Sequence, residues 1–129
     1  MKLIIAGSRT LTVSNKFLDS FITMEKLQIT EIVSGGASGI DECGENFQKC
    51  YTEMGVRYYN PNTPTLTKFL ADWKAHGKAA GPIRNKQMAE YADALLLIWD
   101  GESRGSASMK NEMVKLNKPV YEIIIRKTV

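Results

Sequence analysis

A chain of 129 residues with 43% hydrophobic and 24% charged content suits one globular domain, expected to span 1–129, with enough apolar side chain for a real core. No apolar run approaches the roughly 20 residues that cross a bilayer, and the short apolar start Met1–Gly7 reads as a strand, not a targeting segment, so no membrane partner and a cytoplasmic location are expected. The net charge of +3 comes from scattered basic residues (Lys2, Lys16, Lys26, Lys49, Lys68, Lys86, Lys110, Lys115, Lys118), which argues against a dedicated nucleic-acid footprint.

Lys2–Ala6 is an apolar run closed by Gly7 and is predicted to be a strand buried on both faces. Gly7-Ser8-Arg9-Thr10 forms the loop at its carboxyl end. Ser14-Asn15 can cap a helix to about Leu27, with Phe17, Leu18, Phe21, Ile22, Met24 and Leu27 on its apolar face. Ile29–Ser34 is the second strand. It runs into Gly35-Gly36-Ala37-Ser38-Gly39 and a helix from Gly39 to about Met54, where Ile40, Cys43, Phe47, Cys50, Tyr51 and Met54 recur at helical spacing and Gly55 is the stop. Cys43 and Cys50 would lie about 10 Å apart along that helix, too far for a disulfide.

Val56–Asn60 is predicted as the third strand. Pro61 to Gly81 reads as a long irregular connection with a short helix around Thr67–His76. Pro82 suits the first turn of a helix to about Tyr91, with Ile83, Met88 and Tyr91 apolar. Ala94–Trp99 is a continuous apolar run, as in a central parallel strand. Asp100–Arg104 is a polar loop, and Gly105–Leu116 a helix with Met109, Met113 and Leu116 inward. Asn117-Lys118-Pro119 turns the chain into a last strand, Val120–Ile125.

This alternation predicts an α/β fold: a doubly wound parallel sheet of about five strands, order 3-2-1-4-5, with right-handed crossovers. Ligands of such sheets bind outside the carboxyl ends of the strands at the topological switch point, here beside strands 1 and 4. Three loops converge there: Gly7–Thr10, Ser34–Ser38 and Trp99–Ser106.

The turn after strand 2 passes from strand to helix through three glycines, an arrangement that lets a ligand approach backbone N–H groups and the positive end of a helix. It is neither the dinucleotide fingerprint nor a Walker A loop. The alternative is a turn shaped only for packing. Asp100-Gly101-Glu102-Ser103-Arg104-Gly105-Ser106 repeats the arrangement, with Arg104 as a bidentate cation and Ser103, Ser106 and Ser108 as hydroxyl donors. Arg9 would project into the same crevice or lie on the surface. Arg84, at a helix start where a cation is unfavourable, suggests a partner, and Asn85 beside it could hydrogen-bond a base or sugar. Asp41 either hydrogen-bonds a sugar hydroxyl or only favours the first turn of its helix. Trp73 could stack on a base or pack the long connection down, and Asp72 beside it is equally open. Trp99 could line the crevice or close the core. His76 has no Cys/His companions, so no metal site is expected.

The segments Ile5-Ala6-Gly7-Ser8-Arg9, Val33-Ser34-Gly35-Gly36-Ala37-Ser38-Gly39-Ile40-Asp41, Ala80-Gly81-Pro82-Ile83-Arg84-Asn85-Lys86-Gln87-Met88, Ala92-Asp93-Ala94 and Trp99-Asp100-Gly101-Glu102-Ser103-Arg104-Gly105-Ser106 together resemble the SLOG superfamily, in particular its small branch related to YspA and YpsA, often found in bacteria and phages. The resemblance covers nearly the whole chain. It implies a Rossmann-like fold that binds a nucleotide or nucleotide-derived ligand, as a sensor or sequestering protein, with no cofactor. The ligand-binding residues would be Gly7, Ser8, Arg9, Ser34, Gly35, Gly36, Ala37, Gly39, Asp41, Arg84, Asn85, Trp99, Asp100, Ser103, Arg104, Gly105 and Ser106. Its enzymatic branch resembles the LOG phosphoribohydrolases, which cut the N-glycosidic bond of nucleoside monophosphates. Against their Pro-Gly-Gly-x-Gly-Thr-x-x-Glu loop, Gly105-Ser106 fits Gly-Thr, but Met109 stands where the glutamate belongs. Catalytic candidates are therefore Arg84, Asp41 and Glu112, and N-glycosidase action on a nucleoside monophosphate is the alternative function. Single-stranded nucleic-acid binding, as in the related DprA proteins, is a second alternative, although the chain lacks their extra domains and a basic stripe. A homodimer or higher homo-oligomer stays open.

Overall fold

The computed structural model describes residues 1–54 and 64–126, with backbone alone for 51–54. Five parallel strands form one sheet: β1 (Lys2–Gly7), β2 (Glu31–Ser34), β3 (Thr65–Lys68), β4 (Ala94–Trp99) and β5 (Val120–Ile124). Their order is β3-β2-β1-β4-β5, the order expected of a doubly wound sheet. The central pair is in register from Leu3 opposite Ala94 to Gly7 opposite Ile98.

The helices are α1 (Asn15–Met24), α2 (Ile40–Met54), α3 (Trp73–His76), α4 (Ala80–Tyr91) and α5 (Arg104–Lys115), with a 3-10 turn at Gly77–Ala79. Side chains alternate across a strand, and this period of two divides the core into two layers. Leu3, Ile5, Ile32, Leu96 and Ile98 face one way, against Leu18 and Ile22 of α1 and Ile40 and Phe47 of α2. Ile4, Ala6, Val33, Leu95, Leu97 and Trp99 face the other, against Met88 and Ala89 of α4 and Met109 and Met113 of α5. β4 is buried at every position because helices cover both faces.

Several boundaries differ from the sequence reading. The third strand of the sheet is Thr65–Lys68, within the stretch read as irregular; the strand expected at Val56–Asn60, and the stop at Gly55, lie outside the described residues. Thr65–Lys68 pairs with β2 from Glu31 opposite Thr65 to Ser34 opposite Lys68. α1 has the expected cap, with the Ser14 hydroxyl accepting from the Phe17 N–H at 3.0 Å. It ends early, because Lys26 adopts the left-handed conformation (φ 54°) and the Leu27 N–H closes on the Ile22 carbonyl. Phe17, Met24, Ile83 and Leu116, expected to face inward, are exposed. α4 buries Ala80, Gly81, Asn85, Met88 and Ala89 instead of Ile83, so its inward face includes a polar residue at the end nearest the sheet's carboxyl edge.

Candidate functional site

β1, β2 and β4 deliver their carboxyl ends to one edge, and the N-termini of α2, α4 and α5 arrive at that edge because each helix runs back against the strands. Between them lies a crevice of about 190 Å³. Gly7 and Arg9 line it from the loop after β1, and Gly35, Ala37 and Asp41 from the turn after β2. Arg84 and Asn85 reach it from α4, and Ser103, Gly105 and Ser106 from the start of α5. Ten residues expected at the site from the sequence are thus brought together. Ala6, Met88 and Met109 complete the lining, and the first two were not anticipated. Their common signal was available: each continues the inward parity of its strand or helix to the element's sheet-edge end.

The two glycine turns are not equivalent. In the first, Gly36 (φ 73°) and Gly39 (φ 75°) adopt the left-handed conformation. A Cβ at Gly39 would collide with the backbone carbonyls of Ser8 and Arg9, so this glycine joins the β1 and β2 loops. Its amides are already engaged. The Gly36 N–H donates to Ser34 Oγ at 3.1 Å, and the Ala37 N–H donates to Asp41 Oδ2 at 3.3 Å. The turn therefore carries its own anion, the Asp41 carboxylate, which also accepts from the Gly7 N–H. Asp41 is buried, and that burial raises its pKa above the usual carboxylate range, against the lowering effects of the Ala37 amide and the Arg84 charge.

The second turn is open. Ser103 caps α5, its Oγ accepting from the Ser106 N–H at 3.4 Å. The amides of Arg104 and Gly105, the first two of the helix, have no intrahelical acceptor. α5 has no acidic residue in its first turn, whereas α2 has Asp41 and Glu42. The Ser106 hydroxyl is buried at the crevice wall and, among the described residues, has no hydrogen-bond partner.

A polar chain joins the two turns. Arg84 Nη1 donates to the Gly35 carbonyl at 2.6 Å, and its Nε donates to Asn85 Oδ1 at 3.0 Å. Asn85 Nδ2 donates in turn to the Gly105 carbonyl and to Ser108 Oγ, both at 3.3 Å. A Cβ at Gly35 would lie 2.7 Å from Arg84 Nη1, so the missing side chain there admits the guanidinium. Partial burial lowers the Arg84 pKa, opposed by Asp41, but an arginine stays charged throughout the physiological range.

Other expected site residues sit elsewhere. Trp99 is in the core layer under α4 and α5, its Nε1 donating to Glu122 Oε2 at 2.9 Å. The Asp100 carboxylate serves its own loop, accepting from the Glu102 and Ser103 amides, which hold its pKa below the usual range. It borders a second cavity, with Thr10, Leu11, Gly101, Glu102 and Arg126. Ser8 is buried and accepts from the Asp100 N–H, and Ser34 donates to Glu45 Oε2 at 2.8 Å, so both brace loops instead of lining the crevice. Gly36 and Gly39 shape the turn from behind. Arg104 is the first residue of α5 and points to solvent. Glu112 pairs with Lys115 at 3.2 Å on the outer part of α5, away from the crevice. No cluster of three His, Cys, Asp or Glu placed to hold a metal ion occurs among the described residues, and no helix among them is long and apolar enough to cross a membrane.

The fold and the crevice define a class: a doubly wound parallel α/β protein with a polar, two-arginine cleft at the sheet's switch point. Within that class, the chain belongs to the same family as Gene 61 protein of Mycobacterium phage D29, to which it is 36% identical over 91 residues, covering 69% of this chain and 67% of that protein. No family model matches the sequence, and no solved structure matches it.

Proposed function

We propose that the crevice binds a nucleotide or nucleotide-derived ligand and that the protein acts as a sensor or sequestering protein for it. The observation that carries this reading is the buried, unpartnered Ser106 hydroxyl at the open N-terminus of α5. A buried hydroxyl without a partner costs about 1–3 kcal/mol, and an anion bound there would remove that cost. Free amides, the helix dipole and the nearby Arg9 and Arg84 make the position favourable for phosphate. The Asp41 carboxylate, beside it, is an acceptor for sugar hydroxyls. This assignment moves the phosphate from the first glycine turn, whose amides are taken, to the second. The resemblance to the SLOG superfamily supports the same class of ligand.

Isothermal titration with nucleoside monophosphates and the matching nucleosides tests the reading. Monophosphates are expected to bind at least tenfold tighter than nucleosides. Equal affinity, or no binding by either, would overturn it.

One observation favours a second reading, N-glycosidase action. Asp41 is a buried carboxylate with a raised pKa in the crevice. Cleaving the bond between C1′ and the base builds positive charge at C1′, which a carboxylate stabilises while water adds there and the base leaves with a proton. Met109, at the position where the resembling enzymes carry glutamate, faces the crevice and cannot do this. Chromatography of nucleoside monophosphates incubated with the protein decides between the two: free base that disappears with Asp41→Asn supports hydrolysis, and intact nucleotide leaves the binding reading.

A further inference from the structure

We infer that Trp73, with Leu70 beside it, forms a stacking platform for a planar heteroaromatic base at the rim of the crevice; this rests on the nucleotide reading above. The first observation is size. A space of about 190 Å³ is below the roughly 300 Å³ of pockets that enclose a whole drug-sized ligand. It accommodates a phosphate and a pentose, which leaves a base outside, over the rim.

The second observation is what occupies that rim. The segment between β3 and α4 is anchored by Phe69, whose N–H donates to the Ser34 carbonyl at 2.8 Å and whose ring packs on Tyr91 with centroids 5.3 Å apart. With Phe69 turned inward, the next residue faces out: Leu70 lies over Gly36 and is 71% exposed. Asp72 then caps the short helix, accepting from the Ala75 N–H at 3.1 Å, and this fixes Trp73 as its first residue. The Trp73 ring rests against Gly81 of α4, one turn before Arg84, with its outermost carbon 3.5 Å from where a Cβ would stand.

Trp73 is nevertheless 54% exposed, so packing against Gly81 uses only part of the ring. Two large apolar side chains thus flank a charged crevice, one on the β2 turn and one on α4, with Arg84 between them and the phosphate position. A base seated there would cover apolar surface and stack on the indole, an interaction available to every base because each has a π-face.

The test compares ribose 5-phosphate, which has no base, with AMP and UMP on the wild type, Trp73→Ala and Trp73→Phe. The wild type is expected to bind AMP about 10–100-fold tighter than ribose 5-phosphate. Trp73→Ala should bring AMP to the ribose 5-phosphate level while leaving ribose 5-phosphate binding unchanged, and Trp73→Phe should retain most of the difference. AMP should also quench tryptophan emission in the wild type and lose that quench in Trp73→Phe, because Trp99 is buried. If ribose 5-phosphate binds but Trp73→Ala changes AMP and ribose 5-phosphate equally, or neither, the platform is refuted and the crevice reading survives. If the wild type binds neither compound, both fall.

Discussion

Replacing Ser106 with alanine should make the empty protein more stable and the liganded one weaker. The side chain is 4% exposed and its hydroxyl has no partner among the described residues. Removing an unsatisfied buried hydroxyl relieves about 1 kcal/mol or more. Alanine also improves on serine in a helix by up to about 0.5 kcal/mol. The backbone N–H of residue 106 keeps its bond to Ser103 Oγ, so the cap survives. The net stabilisation is about 1–2 kcal/mol, or roughly 3–8 °C in Tm for a domain of this size. Binding should move the other way. Losing one hydrogen bond to a charged group costs about 1.5–3 kcal/mol, so the Kd for a nucleoside monophosphate should rise about 10–100-fold. Melting curves followed by circular dichroism, with titration calorimetry, read the two effects separately. A lower Tm with unchanged Kd would show that the hydroxyl already serves the scaffold, and the phosphate position at α5 would be refuted.

Asp41→Asn should gain stability relative to wild type as pH rises. The folded-state pKa of Asp41 lies above its unfolded value of 3.8, so the folded state holds the proton more tightly. Its contribution to stability therefore falls as pH climbs from the unfolded to the folded pKa, and the cost of the buried charge is complete at neutral pH. Melts from about pH 4 to neutrality should show the Asp41→Asn advantage growing; a constant difference would refute the burial argument. Gly39→Ala should cost about 2–4 kcal/mol, because it adds the strain of a positive φ to a collision with two backbone carbonyls that cannot rotate away. A urea midpoint within about 0.5 kcal/mol of wild type would mean that the β1 and β2 loops separate readily.

The sequence made the sheet order and the central strands legible because β1 and β4 are unbroken apolar runs, which few other structures accommodate in so short a space. It hid β3 for the opposite reason. Thr65–Lys68 is a half-exposed edge strand with one apolar residue, Leu66, and it is defined by pairing to β2, a tertiary fact. The α4 face was misread at Ile83 because Asn85 is turned inward to reach the start of α5, so polarity and burial do not separate along that helix. Most crevice residues were legible because they sit in glycine turns at strand ends. Trp99 was readable from parity: it shares the side of Leu95 and Leu97, and so belongs to the core beneath α4 and α5. Asp100 and Arg104 were not, since a loop carboxylate that satisfies its own amides looks the same in sequence as one that awaits a ligand.

That last ambiguity also separates the two glycine turns, which look like equals in the sequence. α2 begins with Asp41 and Glu42, and the Asp41 carboxylate already takes amides from Ala37 and Gly7. An incoming phosphate at that turn would meet a buried like charge, which raises the cost of ionising either group. α5 begins with no acid, leaves two amides unpaired and turns a solitary hydroxyl into the crevice. The same helix-end chemistry thus gives an acceptor on one wall and a donor on the other, joined by Arg84 and Asn85. A ligand that matches both walls needs an anion at one end and hydroxyl donors a short distance away, and a sugar phosphate is the simplest molecule with that pattern.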